Sequence, residues 1–136
     1  MFIPATVYHF TVVSLQLYDR YKRRVWLIWQ VSALFLITLF SGNMFLAGVR
    51  LYSWGYYPIY NWMAALFVCF FFVLMGLSLH HYWTAMRTAI PGTAKLRTRG
   101  LLGAFCIAYL GSVDYLAAFG VPIYPFGYAA VLGFII

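Results

Sequence analysis

An all-α, polytopic transmembrane bundle is the fold the sequence predicts, on three observations. Of 136 residues, 65% are hydrophobic and only 8% charged, whereas soluble domains carry about 25% charged and about 45–50% apolar residues. The apolar residues fall in long runs. Nine Lys and Arg, set against two Asp and no Glu, gather mainly in two short clusters between those runs. High hydrophobicity with low charge also excludes disorder, and the length allows one compact unit.

Each helix follows from the length of its run. A bilayer core about 30 Å thick takes roughly 20 apolar residues per helix. Residues 1–18 predict a first, rather short helix that carries His9, with Pro4 tolerated in its opening turn. Residues 25–49 predict a second, long enough to span with tilt. Residues 60–86 predict a third, with an unbroken apolar stretch over 67–73. Residues 101–120 predict a fourth. A fifth run, 126–136, is too short to cross and reads as the start of a helix cut short, as in a fragment of a longer chain. The expectation is four complete helices and a truncated fifth in one transmembrane domain over residues 1–136. The N-terminus lacks the basic region and small-residue cleavage site of a signal peptide.

The charges set the direction. Arg20, Lys22, Arg23 and Arg24 lie in segment 19–24, and Arg87, Lys95, Arg97 and Arg99 in segment 87–99. Two predicted helices separate the segments, so both share one side, and the positive-inside rule makes that side cytoplasmic. Residues 51–60 and 121–128 then face outward. They hold no charge but many aromatic residues, including Tyr52, Trp54, Tyr57, Tyr60 and Tyr124, which suit the headgroup level. Pro58, Pro91, Pro122 and Pro125 are all expected in loops. Because topology accounts for the basic charge, nucleic acid is not an expected partner.

Asp114 is the most informative single residue. An acid inside an apolar helix is costly unless it finds a partner or water. Arg50, at the outer end of the second predicted helix, and Asn43, within it, are the candidate partners. Two readings stand side by side: a polar ligand or ion site near the outer face, and a hydrogen-bonded acid that holds helices together.

Other chemistry is sparse. His80 and His81 are neighbours and cannot both point inward from one helix face, so a bis-histidine haem is not expected. Cys69 and Cys106 lack metal-ligand spacing and are read as buried free thiols. No nucleophilic triad and no carboxylate pair exists, so no catalytic residue, metal or cofactor is expected. Small residues Ala104, Ala108 and Ser112, with Gly103 and Gly111 beside them, form a stripe suited to close helix packing. Phe67, Phe70, Phe71 and Phe72 read as lipid-facing bulk.

The run Gly111-Ser112-Val113-Asp114-Tyr115-Leu116, followed by Gly120-Val121-Pro122-Ile123-Tyr124-Pro125-Phe126-Gly127-Tyr128, resembles the late helices of a known family. That family is the membrane-embedded seven-transmembrane sensory module at the N-terminus of bacterial histidine kinases and related signalling proteins. Pro4 to His9-Phe10, and Ala47-Gly48-Val49 to Trp54-Gly55-Tyr56-Tyr57-Pro58, look similar too. The first helix here would correspond to the family's third. The resemblance implies a sensory or anchoring input in the bacterial inner membrane, with no catalysis of its own. Its partners would be the lipid bilayer and an output domain absent from this sequence. The alternative is a structural accessory subunit of a larger respiratory or photosynthetic membrane assembly. A transporter or channel would need more polar intramembrane residues than the chain offers.

Overall fold

The computed structural model describes residues 1–40, 43–88, 92–127, 129 and 132. In chain order the elements are α1 (Ile3–Ser14), α2 (Tyr18–Leu39), β1 (Leu46–Tyr52), β2 (Gly55–Tyr60), α3 (Trp62–Thr88) and α4 (Thr93–Leu110). A single 3-10 turn, Gly111–Val113, then leads into the short α5 (Asp114–Ala118).

Helix α1 takes Pro4 in its first turn, where a missing N–H costs nothing. It ends in a Schellman closure. The Gln16 N–H donates to the Val13 carbonyl at 3.0 Å and the Leu17 N–H to the Val12 carbonyl at 2.8 Å. That geometry puts Gln16 at φ 58°, a conformation usually left to glycine. The tight turn folds α2 back against α1. Tyr8 and Val12 of α1, Val25 of α2 and Leu74 of α3 form one buried cluster. Phe45, Ala64 and Phe67 form a second, and Phe70 packs against both.

Helix α3 is the centrepiece. Its buried residues, among them Ala64, Phe67, Phe71, Leu74, Ser78 and Tyr82, recur every three or four positions and mark one face. The opposite face stays apolar, with Leu66, Val73 and Leu77 exposed. A helix apolar all round belongs to a deep core or to a membrane span. The Tyr82 hydroxyl lies 2.8 Å from the Ser14 hydroxyl, tying the end of α3 to the end of α1.

Helix α4 buries no residue. It rests on α3 and α1 through Phe105, stacked on Tyr82 at 5.4 Å and set edge-on to Phe10 at 6.2 Å. The small-residue stripe packs only in part, with Ala104, Gly111 and Ser112 half-buried. Ala108 is exposed, and a side chain at Gly103 would meet nothing within 4 Å.

Several expectations are corrected here. The fold is mostly helical but not all-α, because the predicted helix 25–49 ends at Leu39 and residues 46–60 form an antiparallel hairpin. Gly48 and Pro58 are poor helix residues, while the valine, isoleucine and tyrosines around them favour strands. Asn43 therefore lies outside any helix, Arg50 sits on β1, and Pro58 pairs with Val49 across the hairpin. Among the described residues two helices, not four, are long and apolar enough to cross a membrane: α3, and the stretch Thr93–Ala118. The 12 residues of α1 reach only about 18 Å at 1.5 Å per residue. In α2 the charges of its first turns leave residues 25–39, about 22 Å of helix.

The basic segments are helical rather than loops. Arg20 to Arg24 belong to α2, Arg87 to the last turn of α3, and Lys95, Arg97 and Arg99 to α4. The turn before α2, at Leu15 and Gln16, shares a cavity wall with Arg97 and Thr98 of α4. The fourth predicted helix is interrupted at Gly111. The expected truncated helix over 126–136 lies mostly outside the described residues, as does Pro91. Cys69 and Cys106 are free thiols but exposed, not buried.

Candidate functional site

The hairpin builds the site. A two-residue turn, Ser53-Trp54, joins the strands, with Tyr52 paired to Gly55 and Arg50 to Tyr57. Short hairpins need a third layer to be stable in isolation. Here α5 supplies it.

Two phenols hold α5 by its backbone. The Tyr52 hydroxyl donates to the Ala117 carbonyl at 2.9 Å, and the Tyr57 hydroxyl donates to the Asp114 carbonyl at 3.0 Å. A helix this short leaves most of its carbonyls without intrahelical partners, so side-chain donors are needed. Tyr60 adds ring contacts to Phe119 at 5.6 Å and Tyr115 at 6.3 Å, and Tyr115 meets Phe71 of α3 at 5.4 Å. The hairpin is thereby connected through α5 to the central helix.

Beyond α5 the chain closes in a second Schellman turn. Gly120 donates to Ala117 at 3.1 Å and Val121 donates to Leu116 at 3.1 Å, with Gly120 at φ 95°. The Arg50 guanidinium lies directly against the Gly120 backbone, in the space a Cβ would fill. The Asp114 carboxylate does the same at Gly127, whose N–H donates to Asp114 Oδ1 at 2.9 Å. The acid is thus an acceptor for a backbone amide 13 residues further on. It fixes the loop that follows α5.

Of the three sequence-derived candidates, the structure brings Arg50 and Asp114 to the same segment, 120–127, without pairing them. Among the described residues no ion pair or hydrogen bond joins them. Asn43 is elsewhere. Its carbonyl accepts from the Asn61 side chain at 2.9 Å, at the open base of the hairpin. Arg50 and Asp114 grip the loop from opposite elements, and Asn43 anchors the hairpin's base.

Tyr52, Tyr57, Gly120 and Gly127 also belong to the site, although the sequence pointed to the tyrosines only as headgroup-level aromatics and to the glycines only as part of the family-like run. The spacing of Arg50 and Tyr52 was the available signal, since alternate residues of a strand share a face. Trp54 stacks on Tyr52 at 4.8 Å with the rings 4° from parallel, and meets Tyr124 at 5.9 Å. Its indole N–H is buried and has no hydrogen-bond partner among the described residues. The arrangement therefore puts the Arg50 guanidinium 3.5 Å from the Tyr52 hydroxyl and the Trp54 indole against the same ring. It is equipped to meet an acceptor-bearing group.

Burial, then the negative charge of Asp114, then Tyr60, push the Tyr57 phenol above its ordinary pKa of 10.0. Burial raises the Tyr60 phenol as well.

The histidines are spread among aromatic rings. His81 lies 5.0 Å from Tyr21 and 6.0 Å from Tyr8, while His9 stacks on Tyr18 at 5.5 Å. Among the described residues no three His, Cys, Asp or Glu side chains converge on a metal-sized site. No family model, curated protein or solved structure matches this chain.

Proposed function

We propose that this chain is a membrane-embedded sensory or anchoring module with no catalytic activity of its own, whose hairpin reads a cue at the outer end. The observation that carries this is the buried Trp54 indole N–H, without a hydrogen-bond partner among the described residues, on a ring stacked against Tyr52 in the hairpin that grips α5. A buried donor without a partner costs about 1–3 kcal/mol, and a ligand acceptor would recover it. A ligand that favours one hairpin position over another shifts the population of that position. The resemblance of residues 111–128 to sensor-kinase input regions supports the same reading.

In this proposal α1 and α2 complete a polytopic bundle with α3 and α4 in a bacterial inner membrane. The basic helix ends at 20–24 and 87–99 face the cytoplasm under the positive-inside rule. The partners are lipid and an output domain. A second reading, a structural accessory subunit of a larger membrane complex, draws on α2, whose Trp26, Leu27, Leu34 and Ile37 are all exposed.

Two measurements test these readings. With Cys69 and Cys106 replaced by serine, single cysteines at positions 22 and 97 label from one side of the membrane and a cysteine at 56 labels from the other. Labelling of 22 and 97 from opposite sides removes the topology. Fused to a reporter kinase, Asp114→Asn changes output at least threefold at unchanged abundance. Unaltered output, with copurification of large membrane partners at fixed stoichiometry, favours the accessory subunit.

A further inference from the structure

We infer that the groove between the end of α3 and the first half of α4 binds an anionic phospholipid, headgroup at the basic rim and acyl chain along the groove. The inference rests on the membrane placement above. The groove encloses about 770 Å³. Its rim carries Arg87 from α3 with Lys95 and Arg99 from α4, and among the described residues no carboxylate lines it. Below the rim the wall is apolar: Leu102, Gly103 and Cys106 on one side, Trp83 and Met86 on the other.

The helical spacing makes this a graded surface. Positions 95, 99, 102, 103 and 106 fall on one stripe of α4 at intervals of three and four. At 1.5 Å per residue the stripe runs about 16 Å from Lys95 to Cys106. Charge sits at the end nearest the helix start, and apolar atoms occupy the rest. Arg87 is held over the Trp83 ring, 4.7 Å from its centroid, which fixes one cation at the mouth. The floor is open, because a Cβ at Gly103 would meet nothing within 4 Å and Cys106 is exposed.

Basic pockets between membrane helices on the cytoplasmic side recognise anionic headgroups. A soluble anion would use only the rim. An anionic amphiphile uses rim and wall together, which is the chemistry of a phosphate diester on a diacyl chain.

The test is lipid retention by the whole chain in neutral detergent, read by native mass spectrometry with phosphatidylglycerol and phosphatidylcholine of equal chain length. Wild type retains phosphatidylglycerol at least about tenfold over phosphatidylcholine, a difference of about 1.4 kcal/mol. Lys95→Gln with Arg99→Gln abolishes that preference. The exchange Lys95→Arg with Arg99→Lys keeps it, which separates loss of charge from loss of fold. Gly103→Leu fills the floor, leaves every charge in place and also abolishes the preference.

Three outcomes overturn the site. One is equal loss when Lys22→Gln and Arg23→Gln remove the same charge from α2. Another is retention unaffected by Gly103→Leu. The third is displacement of the lipid by millimolar inorganic phosphate, which would make the rim a soluble-anion site. Wild type that stays soluble without detergent overturns the membrane placement itself, and so is told apart from a detergent-requiring protein with no lipid preference.

Discussion

Tyr57 and Asp114 meet twice over: the phenol donates to the Asp114 main-chain carbonyl at 3.0 Å, and the Asp114 charge in turn helps hold that phenol neutral. Backbone and side chain of one residue therefore serve different partners, since the carboxylate is already committed to the Gly127 amide.

Removing either bond loosens the clasp by a measurable amount. Tyr57→Phe deletes a single hydrogen bond and lowers stability by about 0.5–1.5 kcal/mol. Asp114→Ala leaves the Gly127 N–H without its acceptor and costs about 1–3 kcal/mol. Thermal unfolding in detergent reads both. Hydrogen exchange at the Gly127 amide accelerates in Asp114→Ala and stays slow in Tyr57→Phe.

Alkaline pH opens the same contact. The folded pKa of Tyr57 is raised, so the stabilisation is fully present below the ordinary phenol pKa of 10.0 and fades as pH rises through the folded value. The phenolate signal that Tyr57→Phe removes therefore titrates above 10.0. Asp114→Asn takes away the second cause of the shift and moves that titration downward. A Tyr57 titration unmoved by Asp114→Asn would contradict the charge contact.

Gly120 cannot be exchanged freely. Its φ of 95° strains any L side chain, at about 1–2 kcal/mol. A methyl there would also displace the Arg50 guanidinium from the loop. Gly120→Ala is expected to cost at least that strain, whereas Gly100→Ala, at a helical position with nothing within 4 Å, is neutral or slightly stabilising. Thermal shifts of the two variants in parallel decide the point.

The first Schellman turn offers the opposite experiment. Gln16 occupies a left-handed position at φ 58°. Gln16→Gly relieves the strain and raises stability by about 0.5–1 kcal/mol. A lower melting temperature for that variant would mean that the Gln16 side chain makes a contribution the backbone geometry does not reveal.

Much of the architecture could be read from particular residues. The apolar run after Trp62 gave the central helix almost to its ends, because no charge, proline or turn signal falls within it before Arg87. The acid in the fourth segment stood out because it is the one carboxylate inside an apolar run, while its expected partner Arg50 meets Gly120 instead. The hairpin was not legible. Leu46 to Tyr52 is apolar enough to extend a helix on hydropathy alone, and only the pairing of Val49 with Pro58 and Arg50 with Tyr57 shows the strand. Asn43 was misplaced as a result, since its depth was counted along a helix that ends at Leu39. Gly120 and Gly127 were noticed as a pattern, but their purpose depends on side chains that arrive from 70 and 13 positions away. Such non-local closeness has no periodicity to reveal it.

The 3-10 turn at Gly111–Val113 sets the azimuth of everything after it. Each residue there winds about 20° further than in an α-helix, so three of them swing α5 by about 60° relative to an unbroken continuation. With that swivel the Asp114 carboxylate meets the Gly127 amide and its carbonyl meets Tyr57 of the hairpin. An inserted or deleted residue at 111–113 would throw the carboxylate out of phase with Gly127, so the length of that turn constrains the chain as tightly as the chemistry of the acid.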